Sequence, residues 1–297
     1  MRPIFIASLA ATIAISAVIA AAAPAAAQDA PATDKRDWSI TATGGSTIFA
    51  GTGDQPFASV GVTRNFGDSY VRLTGTYVDG GSDDGAPLST IPASTRQLTL
   101  GAGTYVGALG VDGYVSLGDR RFDRRAFTTR TGQTIALDSN GASFGAGLSL
   151  TYEIPLGDSA VLAPFVAGDY SRISIARALA LPGGTSMGEE SREDGITGSL
   201  GASALWLFGP DQRHSVGLYA AALTSSNNSA YNGTNATRAT ALGIGDQPGV
   251  SDEWIEYGAT AAFGLSAAVD LQLAVVRTAG FLGPEATSVT AGVGFSF

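Results

Sequence analysis

The chain ends on Thr287-Ser-Val-Thr-Ala-Gly-Val-Gly-Phe-Ser-Phe297, and the reading of that stretch decides the fold. In an extended chain, successive side chains point to opposite faces. Val289, Ala291, Val293, Phe295 and Phe297 therefore share one face, and Thr290, Gly292, Gly294 and Ser296 share the other. One face is apolar and aromatic; the other is small and polar. Such a strand, stopping on an aromatic residue, fits the closing strand of an outer-membrane barrel, with the apolar face toward lipid and the small polar face toward the lumen. Phe295 and Phe297 then resemble the assembly signal read by the outer-membrane insertion machinery. A closing strand demands the same alternation from every strand before it.

The opposite end of the chain says where it travels. Met1-Arg2 precedes an apolar run from Ile4 to Ala23, and Ala25-Ala26-Ala27 precedes Gln28. A short basic start, an apolar core and small residues at the break form a cleavable secretory signal peptide, expected over residues 1–27. After it, no window holds the 18 or more uninterrupted apolar residues that a spanning helix requires. The nearest approach, Ala261 to Val276, is broken by Ser266, Asp270 and Gln272.

Composition agrees with a membrane barrel. Hydrophobic residues make up 44% of the chain and charged ones 14%, against about 25% charged in ordinary soluble domains. A soluble β-sandwich shares the alternation, but its solvent face carries more charge. The net charge of −9 argues against nucleic acid as a partner. The chain has no Cys, and Lys35 is its sole Lys, so its positive charge is almost all Arg.

Taken in order, residues 28–37 form a short polar lead and 38–297 carry the barrel. Strands are expected near Trp38 to Ile48, Phe57 to Phe66, Val71 to Tyr77, Leu98 to Val106, Val111 to Leu117 and Ser143 to Tyr152. Further strands follow near Leu162 to Ile175, Ile196 to Trp206, Ser215 to Leu223, Ile255 to Phe263, Val269 to Val275, and the terminal stretch. The strand from Leu162 is too irregular for its faces to be assigned. Asn65-Phe-Gly-Asp68, Gly107-Ala-Leu-Gly110, Pro155-Leu-Gly-Asp158 and Gly209-Pro-Asp-Gln212 are tight turns by composition. They alternate with longer polar connections, including Asp79 to Ser94, the basic stretch from Arg120 past Arg130, Leu181 to Asp194, and Ser225 to Gly249. The expectation is an all-β, antiparallel transmembrane barrel of about twelve strands with both termini periplasmic.

From Thr95 to about Trp206 the chain resembles the translocator domain of autotransporters. The resemblance rests on Leu100-Gly-Ala-Gly-Thr-Tyr105, Arg121-Phe-Asp-Arg-Arg125, Ser139-Asn-Gly-Ala-Ser-Phe-Gly145, Leu162-Ala-Pro-Phe-Val166, Asp169-Tyr170-Ser171 and Glu190 before a Gly-rich strand. It implies an outer-membrane barrel without catalytic activity. In that family a passenger precedes the barrel and a helix from it threads the pore. A helix filling such a lumen takes about 17–20 residues at 1.5 Å each. The lead here is shorter, so the expectation is a barrel of this type without cargo of its own.

Candidate functional residues fall into three groups. An Arg at mid-strand costs roughly 2–4 kcal/mol facing lipid, so Arg72 should face the lumen. Glu153, Glu256 and Asp270 join it as lumen candidates, either as an ion-pair network or as the selectivity lining of an open pore. Arg120, Arg121, Arg124, Arg125 and Arg130 suit lipopolysaccharide phosphates or an anion-selective mouth, because Arg forks bind phosphate bidentately. The alternative is that they pair with Asp119, Asp123 and Glu193. His214 with Ser215 suggests the base and nucleophile of an outer-membrane lipid hydrolase, yet neighbours on a strand point to opposite faces. A solvated interfacial His is the plainer reading.

No metal or cofactor is expected. Asp79, Asp83 and Asp84 lack the spaced Glu of a calcium loop. Gly101-x-Gly103 and Gly243-x-Gly245 lack the strand-to-helix setting of a dinucleotide site, and Asn232 and Asn235 read as ordinary loop. The chain is thus expected to be a structural, surface-exposed or pore-forming barrel. Its expected partners are membrane lipid, lipopolysaccharide and the insertion machinery. A small-solute, porin-like channel is the alternative.

Overall fold

Alternation alone leaves a sheet with two open edges; hydrogen bonds from the first strand to the last remove them. In the computed structural model, which describes residues 37–49, 54–80, 94–122, 125–128, 132, 134–180, 186–227, 251–280 and 285–297, Trp38–Phe49 (β1) pairs on one side with Gln55–Phe66 (β2) and on the other with Ala286–Ser296 (β12). Between them run Ser69–Asp79 (β3), Ser94–Val106 (β4), Leu109–Arg121 (β5), Thr134–Tyr152 (β6), Ala160–Ala180 (β7), Ser186–Phe208 (β8), His214–Ser225 (β9), Asp252–Gly264 (β10) and Val269–Ala279 (β11). Each pairs antiparallel with its neighbours in chain order, and the ring of twelve closes at β1–β12. Two short segments, Arg125–Thr128 on β6 and Ile154–Pro155 on β7, add to the wall. Closure satisfies every ladder within the sheet, which is what an apolar solvent requires of a spanning β-structure.

The faces follow the period of two. On the terminal strand Val289 and Phe295 are 48% exposed while Thr290 is 3% exposed. On β6 Leu148 and Leu150 point out, and Ser149 and Thr151 point in. Glycines with positive φ, such as Gly67 and Gly107, make the tightest turns at one end of the barrel, where a Cβ would be strained. The start of β1 and the end of β12 lie at that same end: Trp38 N–H donates to Phe297 O at 3.2 Å and Phe297 N–H to Trp38 O at 2.9 Å. An exposed, outward ring of Trp38, Phe66, Tyr152, Trp206, Phe208 and Phe295 marks this end, as aromatic residues do at a membrane interface.

Strand lengths correct the sequence reading at the opposite end. Thr134 to Asn140 and Ser186 to Asp194 are strand, not loop, and β7 runs on to Ala180, past the expected end near Ile175. Arg120 and Arg121 close β5 instead of opening a loop. The sequences of these segments, such as Thr134-Ile-Ala-Leu-Asp-Ser-Asn140 and Glu189-Glu-Ser-Arg-Glu-Asp194, keep no strict alternation of apolar and polar residues. The hydropathy pattern fades there, although the hydrogen-bond ladder runs on. The expected signal peptide, the lead as far as Arg36, Asp83, Asp84, Asn232 and Asn235 lie outside the described residues.

Candidate functional site: the two walls of the lumen

The inward faces divide the barrel into two walls. From β1 to β6 the buried inward side chains are mostly small hydroxyls and amides: Thr43, Thr47, Gln55, Ser59, Thr63 and Thr74, continuing through Ser116 to Ser149 and Thr151. From β7 to β11 they are mostly apolar, including Val161, Phe165, Leu207, Leu223 and Val276. β7 carries apolar residues on both faces, with Phe165 4% exposed inside and Val166 48% exposed outside. That explains why its faces resisted assignment from sequence: neither is polar.

Ionisable groups on the polar wall are held by a repeated device. Tyr70 on β3, Gly103 on β4 and Asp112 on β5 stand in one hydrogen-bond row, and the Tyr70 hydroxyl donates to Asp112 Oδ1. The ring lies flat over Gly103, where an added Cβ would come within 2.6 Å of it. The arrangement recurs two strands on. Tyr114 on β5 crosses Gly147 on β6 to Asp169 on β7, donating its hydroxyl at 2.9 Å. In each case Tyr, Gly and Asp sit on three successive strands, and glycine is required because the ring occupies the space a side chain would need. Arg72 Nε donates to Thr63 Oγ1 at 3.2 Å, and its guanidinium lies 5.2 Å from the Tyr70 ring centroid.

Glu256 is the ionisable centre of the apolar wall and is fully buried. Trp254 Nε1–H donates to its Oε1 at 3.1 Å, and the Tyr219 hydroxyl to its Oε2 at 3.3 Å. Tyr219 stacks on Phe165 with centroids 5.9 Å apart and planes 10° from parallel. Gly201 admits the Phe165 ring; a Cβ there would stand 2.7 Å from it. A carboxylate in such a setting is stable only with donors aimed at it.

The four lumen candidates all sit on inward positions, but at separate places. Arg72 belongs to the Tyr70 group and Glu256 to the Trp254–Tyr219 group. Asp270 accepts from Gln272 Nε2 at 2.6 Å, and Glu153 is buried beside the β6–β7 turn. Ion pairs on exposed side chains form at Arg121–Asp119, Arg192–Glu190 and Arg277–Glu285.

The basic cluster does not form one patch. Arg120 points into the lumen and is 4% exposed, whereas Arg121 points outward and pairs with Asp119 at 3.2 Å. Adjacent residues on a strand cannot share a face. Arg125 begins the short strand beside β6; Arg124 and Arg130 lie outside the described residues. His214 is not a solvated His either. Its ring sits between Phe208 and Phe263 at 5.4 and 6.0 Å, against Gly209. Ser215 is buried on the opposite, inward face, so the two do not meet.

Tyr70, Asp112, Tyr114, Asp169, Tyr219 and Trp254 were not among the residues expected from sequence. Their one signal is a Gly facing an aromatic residue across a strand pair, visible only once the register is known.

The whole architecture has known counterparts. The structure is similar to the translocator domain of the autotransporter NalP from Neisseria meningitidis, with a TM-score of 0.63, 14% identity and 92% of each chain covered. It is also similar to the β domain of the Bordetella autotransporter BrkA, with a TM-score of 0.57, 16% identity, and 88% of this chain and 99% of that chain covered. No curated protein matches. The family profile described as Autotransporter beta-domain matches residues 41–275. This chain, an outer-membrane β-barrel, therefore belongs to the autotransporter β-domain family.

Proposed function

We propose that the barrel is a non-catalytic, hydrated conduit through the outer membrane, with its tight turns and both termini in the periplasm. The observation that carries this reading is the polar wall. Its inward side chains are mostly hydroxyls and amides, among them Thr43, Thr63, Ser116, Ser149 and Thr151, while the outward side chains of the same strands are mostly apolar. A wall of hydroxyls is matched to water in the lumen, which hydrogen-bonds it as an apolar wall cannot be bonded. The orientation is supported by the short connections, which share one end with the start of β1 and the end of β12, as in bacterial barrels. Residues 1–27 act as the export signal in this reading, and Phe295 and Phe297 as the signal for insertion. Lipopolysaccharide surrounds the opposite rim.

Conductance of the refolded barrel in a planar bilayer tests the reading. The expected result is a stable, salt-dependent current whose ion preference shifts toward cations in Arg72→Ala, because a positive group leaves the polar wall. A folded barrel that carries no current removes the conduit and leaves a structural or surface role. The small-solute channel is the narrower form of the same idea and predicts that one solute blocks the current. The hydrolase alternative predicts a lipid-hydrolysing activity lost in His214→Ala; wild-type protein without such activity ends it.

A further inference from the structure

The outward face at the turn end carries a cation held against two aromatic rings. Arg64 on β2 stands directly opposite Trp38 on β1, and Phe66 follows two residues on, on the same face. The guanidinium carbon lies 5.2 Å from the Trp38 ring centroid and 4.8 Å from that of Phe66. Both rings face outward, 40% and 53% exposed. The backbone beneath is fixed at the closing seam, with Asn65 N–H donating to Asp37 O at 2.7 Å and Trp38 and Phe297 exchanging hydrogen bonds. Phe297 itself is 63% exposed alongside.

The contrast is with three outward arginines at the other rim. Arg121, Arg192 and Arg277 each have a carboxylate, from Asp119, Glu190 and Glu285. Arg64 has no ion-pair partner among the described residues; Asp37 and Asp68, acids at the same end of the barrel, do not pair with it. Two ring faces hold the guanidinium by cation–π attraction and partly strip it of water. They leave its planar edge of N–H donors for a planar or tetrahedral oxyanion. In a lipid-facing aromatic belt, the anion at that depth is a headgroup phosphate.

We propose that Trp38, Arg64 and Phe66 form a binding site for the phosphate of a phospholipid in the leaflet at the turn end, beside the strand that closes the barrel. The proposal requires a membrane-spanning barrel but not the conduit reading, so a barrel without conductance leaves it standing. The test adds phosphatidylglycerol to the full refolded chain in nonionic detergent and reads retained lipid by native mass spectrometry. Wild type should hold the lipid roughly tenfold more tightly than Arg64→Gln, with Arg64→Lys between them, because Lys keeps the charge but loses the fork. Arg96→Gln, an exposed outward Arg at the other rim, should match wild type. Diacylglycerol, which lacks the phosphate, should bind wild type and Arg64→Gln alike. Equal retention of phosphatidylglycerol by wild type and folded Arg64→Gln overturns the proposal. Displacement of the lipid by millimolar inorganic phosphate also overturns it, since the site would then take a free anion. If Arg64→Gln fails to fold, by heat-modifiable migration, the comparison of Arg64→Lys with wild type decides, and unchanged affinity there overturns it.

Discussion

The wall from β1 to β6 and the wall from β7 to β11 solve the same problem with opposite materials. The first faces the lumen with hydroxyls and ties Asp112, and Asp169 at its border on β7, by tyrosines that reach across glycine. The second faces it with aliphatic and aromatic residues and holds Glu256 between Trp254 and Tyr219. Both schemes supply directed donors to a carboxylate, as any group removed from bulk water requires. They differ in what else the lumen surface offers: the first wall can hydrogen-bond water along its length, and the second largely cannot. A barrel in this family thus need not have a uniform interior.

The largest effect expected is one that tells lipid from lumen where hydropathy does not. On β7, Val166→Arg places a charge against lipid and should cost roughly 2–4 kcal/mol. Arg at the neighbouring inward position, Ala167, avoids lipid and should cost clearly less. Reversible denaturant unfolding in lipid vesicles measures both; equal costs would dissolve the distinction between the two faces of that wall.

Next comes the crossing of tyrosine over glycine. Gly147→Val forces a branched side chain into the space of the Tyr114 ring and Asp169, and overpacking of that kind costs about 1–3 kcal/mol. In the double variant with Tyr114→Ala, much of the loss should return, a coupling that a double-mutant cycle reads directly. Additive losses would mean that the ring is not what requires the glycine.

On the apolar wall, Trp254→Phe keeps an aromatic ring but removes one donor to Glu256. The expected loss is about 1–2 kcal/mol, and Glu256→Gln in the same background should cost less than it does in wild type. The smallest effect belongs to the rim. Asp119→Asn breaks the exposed pair with Arg121 and should change stability by less than about 1 kcal/mol, an effect that vanishes in high salt. A larger loss would show that the rim pairs support the wall beneath them.

Legibility from sequence follows the same division. On β6 the run Ser143-Phe-Gly-Ala-Gly-Leu-Ser-Leu-Thr-Tyr152 sorts into faces unaided, because lipid and water demand different residues. On β7 both sides are apolar, so nothing in Leu162-Ala-Pro-Phe-Val166 says which one meets lipid. The extended parts of β6 and β8 were read as loop because their sequences keep no strict alternation of apolar and polar residues. Arg72 and Glu256 were assigned to the interior by the cost of charge in lipid, a local argument. Their partners were out of reach: Tyr70 and Thr63 for Arg72, and Trp254 and Tyr219 for Glu256. Of the cluster from Arg120 to Arg130, sequence conveyed the charge but not that Arg120 turns inward and Arg121 outward.

What this sequence determined by itself is a strand-built chain for the outer membrane: a period of two, few charges, no apolar run long enough for a spanning helix after the first segment, and a last strand with one aromatic face. These are properties of single strands, set by the solvent on either side of each one. Tertiary structure decided the closure of β1 on β12, the register that sets each tyrosine over its glycine, the split of the lumen into two walls, and the pairing of Arg64 with Trp38 and Phe66. All of these depend on which residues of separate strands stand opposite one another. A one-residue slip would change every such pair, so they are fixed only when the whole ring of hydrogen bonds closes at once.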